Sequence, residues 1–306
     1  MENDGSDDER EKWNKERERV LDEWSEIELK GKEVLTMPDI ITEPGVSSLT
    51  FETPLEELYP LLVSIEQSDQ PTSSNQESEE QNPTITTFDR IMQICLCRPA
   101  KASSHPLIYT HKTLAVKLSQ VGYDNENGTH WLILSDYFQT VSQIALNSSN
   151  VNCPRIGSHW QIVGFQGTNP ATDFRGCGIF ALLQLHSFTQ RLPHNILKAI
   201  VQLSRAEPND FPLAVVSINI TGLILGKLKK DRFDLLGTPS NGLYPVLVSL
   251  HSASLAYFCA QYKSQNLTLA QCQTLLSEID QMLEKSPNSL LSLLENNNDK
   301  LIKQLL

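Results

Sequence analysis

Apolar and polar positions along the chain fall into helix-length pieces. Over residues 8–33, Trp13, Val20, Trp24 and Ile27 recur at steps of seven, four and three within a segment dense in Glu, Lys and Arg. That is the spacing of one helix face, and it predicts an amphipathic helix. The helix either docks on a partner or on the C-terminal part of the chain, or it stands in solvent with a weak apolar stripe. Residues 66–83 combine Ser, Gln, Glu and Pro without a large apolar side chain, the composition of a flexible linker. The boundary set there divides the chain into an acidic, partly disordered region, 1–83, and a compact domain, 84–306.

Within that domain the period of 3.6 returns repeatedly. Phe88, Ile91, Met92 and Cys95 share a face over 87–97, with Pro99 ending the segment. Leu107, Thr110, Leu114 and Leu118 do so over 106–121, ended by Gly122, and Leu134, Phe138, Val141 and Ala145 over 131–146, broken by the run from Asn147 to Asn150. Ile179, Leu182, Leu183, His186 and Thr189 mark 179–190. Leu269, Cys272, Leu276, Ile279 and Leu283 mark 267–285, with Thr268 placed to cap it and Pro287 beyond its end. The segment 211–226, FPLAVVSINITGLILG, is rich in β-branched residues and favours a strand by propensity. A lone strand has no pairing partner elsewhere in the chain, so the expectation is a buried helix and an all-α, multi-helix domain.

Charge changes this picture in one respect. The chain carries a formal net charge of −12, but residues 1–82 hold 7 basic and 23 acidic side chains, and residues 83–306 hold 18 and 14. The acidity belongs to the N-terminal quarter, and it argues against a general nucleic-acid binder. No apolar run reaches the roughly 18 to 20 residues of a membrane span, and MENDGSDDERE is unlike a signal peptide. A soluble cytoplasmic protein is expected, and its four N-x-S/T sequons read as chance matches. Six cysteines without a C-x-x-C pair indicate neither a disulfide framework nor a zinc knuckle. The basic cluster Lys227, Lys229, Lys230 and Arg232 reads as a solvated helix end, or as a surface for an acidic membrane or the acidic N-terminal region.

One segment does not look like packing. Between Trp160 and Gly178 the chain reads WQIVGFQGTNPATDFRGCG, with Gly164, Gly167, Pro170, Gly176 and Gly178 inside fifteen positions. Such density indicates a constrained loop. Asn169 is placed to cap a turn begun by Pro170, and Thr172 or Asp173 to cap the longer helix that follows. Arg175 then falls in or near a first helical turn, where the helix dipole disfavours a cation. Either a local carboxylate such as Asp173 accounts for it, which is the commoner arrangement, or an anionic target outside the protein does. Neither G-x-G-x-x-G nor G-x-x-x-x-G-K-[ST] is present, so no nucleotide site is assigned to the chain itself.

The residues Trp160-x-x-x-Gly164-Phe165-Gln166-Gly167-x-x-Pro170-x-Thr172-Asp173-Phe174-Arg175-Gly176-x-Gly178 resemble the signature of the ELMO domain found in ELMO-domain-containing (ELMOD) proteins. FPLAVVSINITGLIL and LEKSPNSLLSLL are similar to later parts of that domain, and the likeness spans roughly residues 85–295. The resemblance implies an all-helical fold and GTPase-activating activity toward GTP-bound Arf and Arf-like small GTPases. It implies that Arg175 is the catalytic arginine donated in trans, with GTP and magnesium belonging to the partner and no cofactor in this chain. Contact with organelle membranes is then peripheral, through the GTPase.

The same resemblance gives the neighbours of Arg175 partner-binding or loop-supporting roles, each with a plainer alternative. Gln166 either reaches the reacting region or braces the loop, to which Gly167 also belongs. Asp173 either orients the guanidinium or caps a helix. Phe174 either anchors the loop, as Trp160 and Phe165 do, or touches the GTPase. Gly176 and Gly178 permit either close approach of a partner or tight helix packing. Three departures stand out: Asn169 replaces a frequent aspartate, Ile179-Phe180-Ala181-Leu182 is bulkier than the usual leucine-glycine pair, and 243–262 has few aromatic landmarks. The alternative function is a non-catalytic adaptor that uses the domain as a scaffold for a GTPase or an exchange factor. A thiol triad of Cys177, His159 and Asp173 is disfavoured, since nearness in sequence is not triad geometry. None of the seven histidines has metal-ligand spacing, and His186, on an apolar face, reads as a core residue.

Overall fold

The computed structural model describes residues 53–63, 105–148, 151–295 and 304–305. The expected helix at 8–33, the linker at 66–83 and the segment 87–97 lie outside the described residues. Every regular element among the described residues is helical, as the sequence pattern predicts. In chain order these are α1 (Leu55–Leu62), α2 (Pro106–Leu118), α3 (Gly128–Leu146), the single turn α4 (His159–Ile162), α5 (Gly178–Arg191), α6 (His194–Leu203), α7 (Leu213–Leu228), α8 (Tyr244–Ser264), α9 (Cys272–Lys285) and α10 (Pro287–Glu295). Two 3-10 turns, Pro170–Phe174 and Leu269–Gln271, precede α5 and α9.

Local chemistry sets the ends of these helices. Asn127 caps α3 by accepting the N–H groups of Thr129 and His130 at 2.9 and 3.1 Å, and Asn147 closes the helix at φ +50°, a left-handed position that asparagine tolerates. The helix expected from residue 267 starts later, at Cys272, because the chain first makes a 3-10 turn in which Thr268 N–H donates to Gln271 Oε1 at 2.9 Å.

Helices α5, α7 and α8 form the centre, with α3 packed on α5, α9 on α7 and α10 on α8. Residues Gly178–Thr189 of α5 are all buried, including the bulky Ile179 to Leu182 run. Segment 211–226 lies in α7 from Leu213 onward, with Pro212 at the N-cap position, and the apolar residues of α7 cover every side of the helix. A helix apolar all round is a buried one, and burial between α5, α8 and α9 overrides the strand propensity of its β-branched residues. None of the described helices is long and apolar enough to cross a membrane.

Two features depend on partners far away in the sequence. Lys227 is not at a solvated helix end: it is buried and pairs with Asp280 at 2.9 Å and Glu284 at 3.2 Å on α9. Burial alone lowers its pKa, but these carboxylates more than offset that and raise it. Arg232 is exposed and also pairs with Glu284, and Lys229 and Lys230 are exposed beside it. Helix α1 is the second feature, an element not singled out by the hydrophobic pattern. Its Leu55, Leu58 and Leu62 enter the core against α2, and Glu56 Oε1 lies 2.8 Å from Nε2 of the buried His111.

The core also holds histidines. Nε2 of His186 meets Asp136 Oδ2 at 2.8 Å, which lowers the Asp136 pKa. His251 is fully buried with Nε2 2.9 Å from Ser217 Oγ, and burial pushes its pKa down from 6.5 to about 4. A histidine buried neutral binds fewer protons folded than unfolded, so its contribution is complete above pH 6.5 and is lost as pH falls toward 4. At about 1.36 kcal/mol per pKa unit this amounts to about 3 kcal/mol. Urea unfolding between pH 7 and pH 4 should show that loss, and His251→Gln should flatten the slope.

Candidate functional site

The Trp160–Gly178 segment wraps one end of α5 and is tied to the core by aromatic rings. Trp160 is fully buried, donates from Nε1 to Pro154 O at 3.1 Å, and meets Phe138 at 4.8 Å and Phe165 at 5.4 Å between ring centres. Phe165 meets Phe174 edge-on at 5.7 Å. Phe174 is 1 % exposed and stacks on Tyr123 at 5.7 Å and 24°. Its ring is therefore an inward anchor and offers no face to a partner. After α4 the chain turns at Gly164, φ +89°, where an added Cβ would stand 2.4 Å from Leu213 N. Gly164 O accepts the Val215 N–H at 3.2 Å, so the start of α7 is seated directly on the motif.

The next turn follows from Asn169 and Pro170. Asn169 Oδ1 accepts the Ala171 N–H at 3.1 Å, and the 3-10 turn runs to Phe174. Neither Thr172 nor Asp173 caps the long helix: α5 begins at Gly178 with Cys177 at its N-cap position and no side-chain cap. The intervening turn at 175–177 puts both residues too far back. Asp173 instead reaches back across the loop, accepting the Gln166 N–H at Oδ2 at 2.9 Å, with Thr172 Oγ1 3.1 Å from Oδ1. Burial raises its pKa, opposed by the Gln166 N–H, Thr172 and the nearby charge of Arg175. Asp173→Ala strands a backbone N–H and should cost about 1 to 3 kcal/mol. Asp173→Asn keeps an acceptor and loses the buried charge, so chemical denaturation should find it closer to wild type.

Arg175 directly follows the 3-10 turn at φ −58°, ψ −35°, three residues before α5 rather than within its first turn. Its side chain is exposed, and among the described residues no hydrogen bond or ion pair holds it. Asp173, the local carboxylate that sequence offered as a partner, is turned to Gln166 instead. Gly176 is exposed beside it. Gly178 is buried at φ +54°, and an added Cβ would stand 2.4 Å from Val121 O and 2.7 Å from Leu118 O. Ile179 N–H donates to Val121 O at 2.9 Å, so the negative end of α2 meets the positive end of α5. Gly167 is half-buried, and nothing lies within 4 Å of where its Cβ would be. Gln166 contributes its backbone to the loop, with its carbonyl 3.4 Å from Gln161 Nε2 as well.

The structure adds residues that sequence did not single out. Val121 and Tyr123, in the turn after α2, form the floor under Phe174 and Gly178. A second cation, Arg155, lies 3.7 Å over the Trp131 ring and donates to Asn125 O at 3.2 Å, so it is committed locally. The thiol triad does not assemble. Cys177 Sγ lies 3.8 Å from Ile218 O in the core, Asp173 is engaged by Gln166, and His159 is exposed. Among the described residues no three His, Cys, Asp or Glu side chains gather as a metal site requires.

Comparison with known proteins places this geometry in context. Residues 113–276 match the ELMO/CED-12 family. The chain is 29 % identical over 216 residues to ELMO domain-containing protein 3 of Mus musculus, an alignment covering 70 % of this chain and 55 % of that protein. It is 27 % identical over 216 residues to ELMO domain-containing protein B of Dictyostelium discoideum, covering 70 % and 72 %. With ELMO domain-containing protein 2 of Mus musculus it shares 30 % identity over 150 residues, covering 49 % and 47 %. The alignments span about half the length of the mouse and human ELMO domain-containing protein 3, 55 % and 49 %. No solved structure matches the chain.

Proposed function

The chain belongs to the ELMO/CED-12 family, and we propose that it is a GTPase-activating protein for an Arf or Arf-like small GTPase. The observation that carries this reading is Arg175, an exposed guanidinium that no hydrogen bond or ion pair holds among the described residues, although its charge is felt at Asp173, on a loop anchored by Trp160, Phe165, Asp173 and Phe174. A small GTPase holds its own nucleotide and magnesium. What it commonly lacks is a fixed positive charge where the γ-phosphoryl oxygens gain negative charge in the transition state. Arginine suits that place because it does not deprotonate and its planar fork spans two phosphate oxygens.

The surrounding contacts support such a role. Asp173, Phe174 and Gly178 hold the backbone on both sides of Arg175 through Gln166, Tyr123 and Val121. A turn held at both ends can present one side chain with little reorganisation, which is where electrostatic catalysis gains most. In this reading GTP and magnesium come with the partner, and the protein works from the cytoplasm, peripherally on the membrane that carries the GTPase.

Single-turnover hydrolysis on a panel of GTP-loaded Arf-family members tests it. Acceleration of at least one of them is the expected result. Binding of the whole panel without acceleration would leave the adaptor reading.

A further inference from the structure

Arg175 stands at the end of a line of contacts that begins N-terminal to the residues matched to the family model. Helix α1 occupies Leu55–Leu62, whereas the family match starts at residue 113. The Leu62 carbonyl accepts a hydrogen bond from Nε2 of His130 at 2.8 Å, and the Leu61 carbonyl accepts one from Asn127 Nδ2 at 3.3 Å. Nδ1 of the same His130 accepts the Asp124 N–H at 3.0 Å. A ring that donates from one nitrogen and accepts at the other is a neutral imidazole with its proton on Nε2. The His130 ring lies 5.7 Å from Tyr123, tilted by 37°, and Tyr123 stacks on Phe174, the residue before Arg175.

On the basis of the activator reading, we propose that α1 is a built-in positioning element for Arg175, acting through His130, Tyr123 and Phe174. When α1 is seated, Leu62 O fixes the orientation of His130, which pins Asp124 and backs the Tyr123 ring. Tyr123 then closes the pocket in which Phe174 is held. When α1 leaves, the wall behind Tyr123 is lost and the turn at 174–177 loosens. His130 and Tyr123 are positioning residues in this scheme, since neither is asked to touch the nucleotide. Helix α1 is suited to reversible seating: it is eight residues long, and three leucines, the Glu56–His111 contact and the hydrogen bonds to the Leu61 and Leu62 carbonyls hold it to the domain.

The test uses the full chain with two readouts, amide hydrogen exchange and single-turnover GTP hydrolysis at saturating activator. Leu58→Asp unseats α1, Tyr123→Ala removes the stack, and Tyr123→Phe keeps the ring. Leu58→Asp and Tyr123→Ala should speed exchange at 174–177, leave α8 unchanged, and lower the maximal acceleration by about tenfold to a hundredfold with the half-saturating concentration little altered. Tyr123→Phe should restore both readouts to near wild type. The proposal is overturned if α1 exchanges freely in Leu58→Asp while 174–177 stays protected, or if Tyr123→Phe behaves as Tyr123→Ala does. Should Leu58→Asp also loosen α8, His130→Phe decides, because it keeps a ring against Tyr123 and removes the bond to Leu62: faster exchange at α1 and 174–177 with α8 unchanged supports the proposal, and unchanged protection at 174–177 overturns it. Failure of the activator reading shows separately, as wild type accelerating no GTPase, and the exchange measurements then decide the coupling alone.

Discussion

Arg175→Ala is expected to remove the acceleration of GTP hydrolysis while leaving the fold and the binding of a GTP-loaded partner in place. An arginine supplied in trans is worth about 10³ to 10⁵ in rate, or about 4 to 7 kcal/mol of barrier. The full loss should appear, because Arg155, whose charge reaches Tyr123 under the turn, is held over Trp131 and tied to Asn125, and Arg205 is tied to Ile162 O. Arg175→Lys keeps the charge but not the planar fork, so it should recover only a small part of the rate. Stability should be unchanged within about 0.5 kcal/mol for both variants, since the side chain is exposed and without a partner among the described residues. Single-turnover rates at saturating activator, read beside thermal unfolding, separate this result from simple misfolding.

Gly178→Ala is expected to destabilise the fold strongly. Its φ of +54° alone costs a residue with a Cβ about 1 to 2 kcal/mol. The new methyl would also stand 2.4 to 2.8 Å from three carbonyl oxygens, those of Val121, Leu118 and Ser119. These are backbone atoms, so relief requires α2 and α5 to separate and the Ile179 to Val121 hydrogen bond to stretch. A total of about 3 kcal/mol or more follows, enough to lower the melting temperature by roughly 6 to 12 °C in a domain of this size. Gly167→Ala makes the contrast, because open space surrounds that position and the change should stay within about 0.5 kcal/mol. Since Arg175 lies three residues before Gly178, the Gly178→Ala protein should also activate poorly at temperatures where it remains folded.

How much of this was legible in sequence depends on how far each residue's partner lies along the chain. Helices α2, α3 and α5 are legible in the 3.6-residue period, although α2 buries Ile108, His111, Ala115 and Leu118 where the pattern points to Leu107, Thr110, Leu114 and Leu118, and α7 is legible in an apolar run with no strand to pair with. Asn169 is legible as a cap because its acceptor target is two residues away. Asp173 looks like a cap for the same local reason, yet its partner is a backbone N–H seven residues back, made available only by the 3-10 turn. The seating of the first turn of α5 depends on Val121 O, and the pairing of Lys227 on Asp280 and Glu284, none of which is a sequence neighbour. Helix α1 carries a helical stripe of Leu55, Leu58 and Leu62, but at eight residues with Pro60 inside it the stripe is too short to stand out, and the residues that seat it lie in and beside α2 and α3. Arg175 was legible as an anomaly, a cation among glycines with no obvious duty. Its exposure and lack of a local partner became visible only once Asp173 was seen to face the other way.

The most direct test compares the affinity of this protein for one GTPase in two states, loaded with a non-hydrolysable GTP analogue and with GDP plus aluminium fluoride, which imitates the γ-phosphoryl group in transit. A residue that acts on transition-state charge must favour the second state. Wild type should bind the aluminium fluoride complex more tightly than the GTP-analogue complex, and Arg175→Ala should bind the two alike. An equal preference for the aluminium fluoride state in wild type and Arg175→Ala would contradict the account.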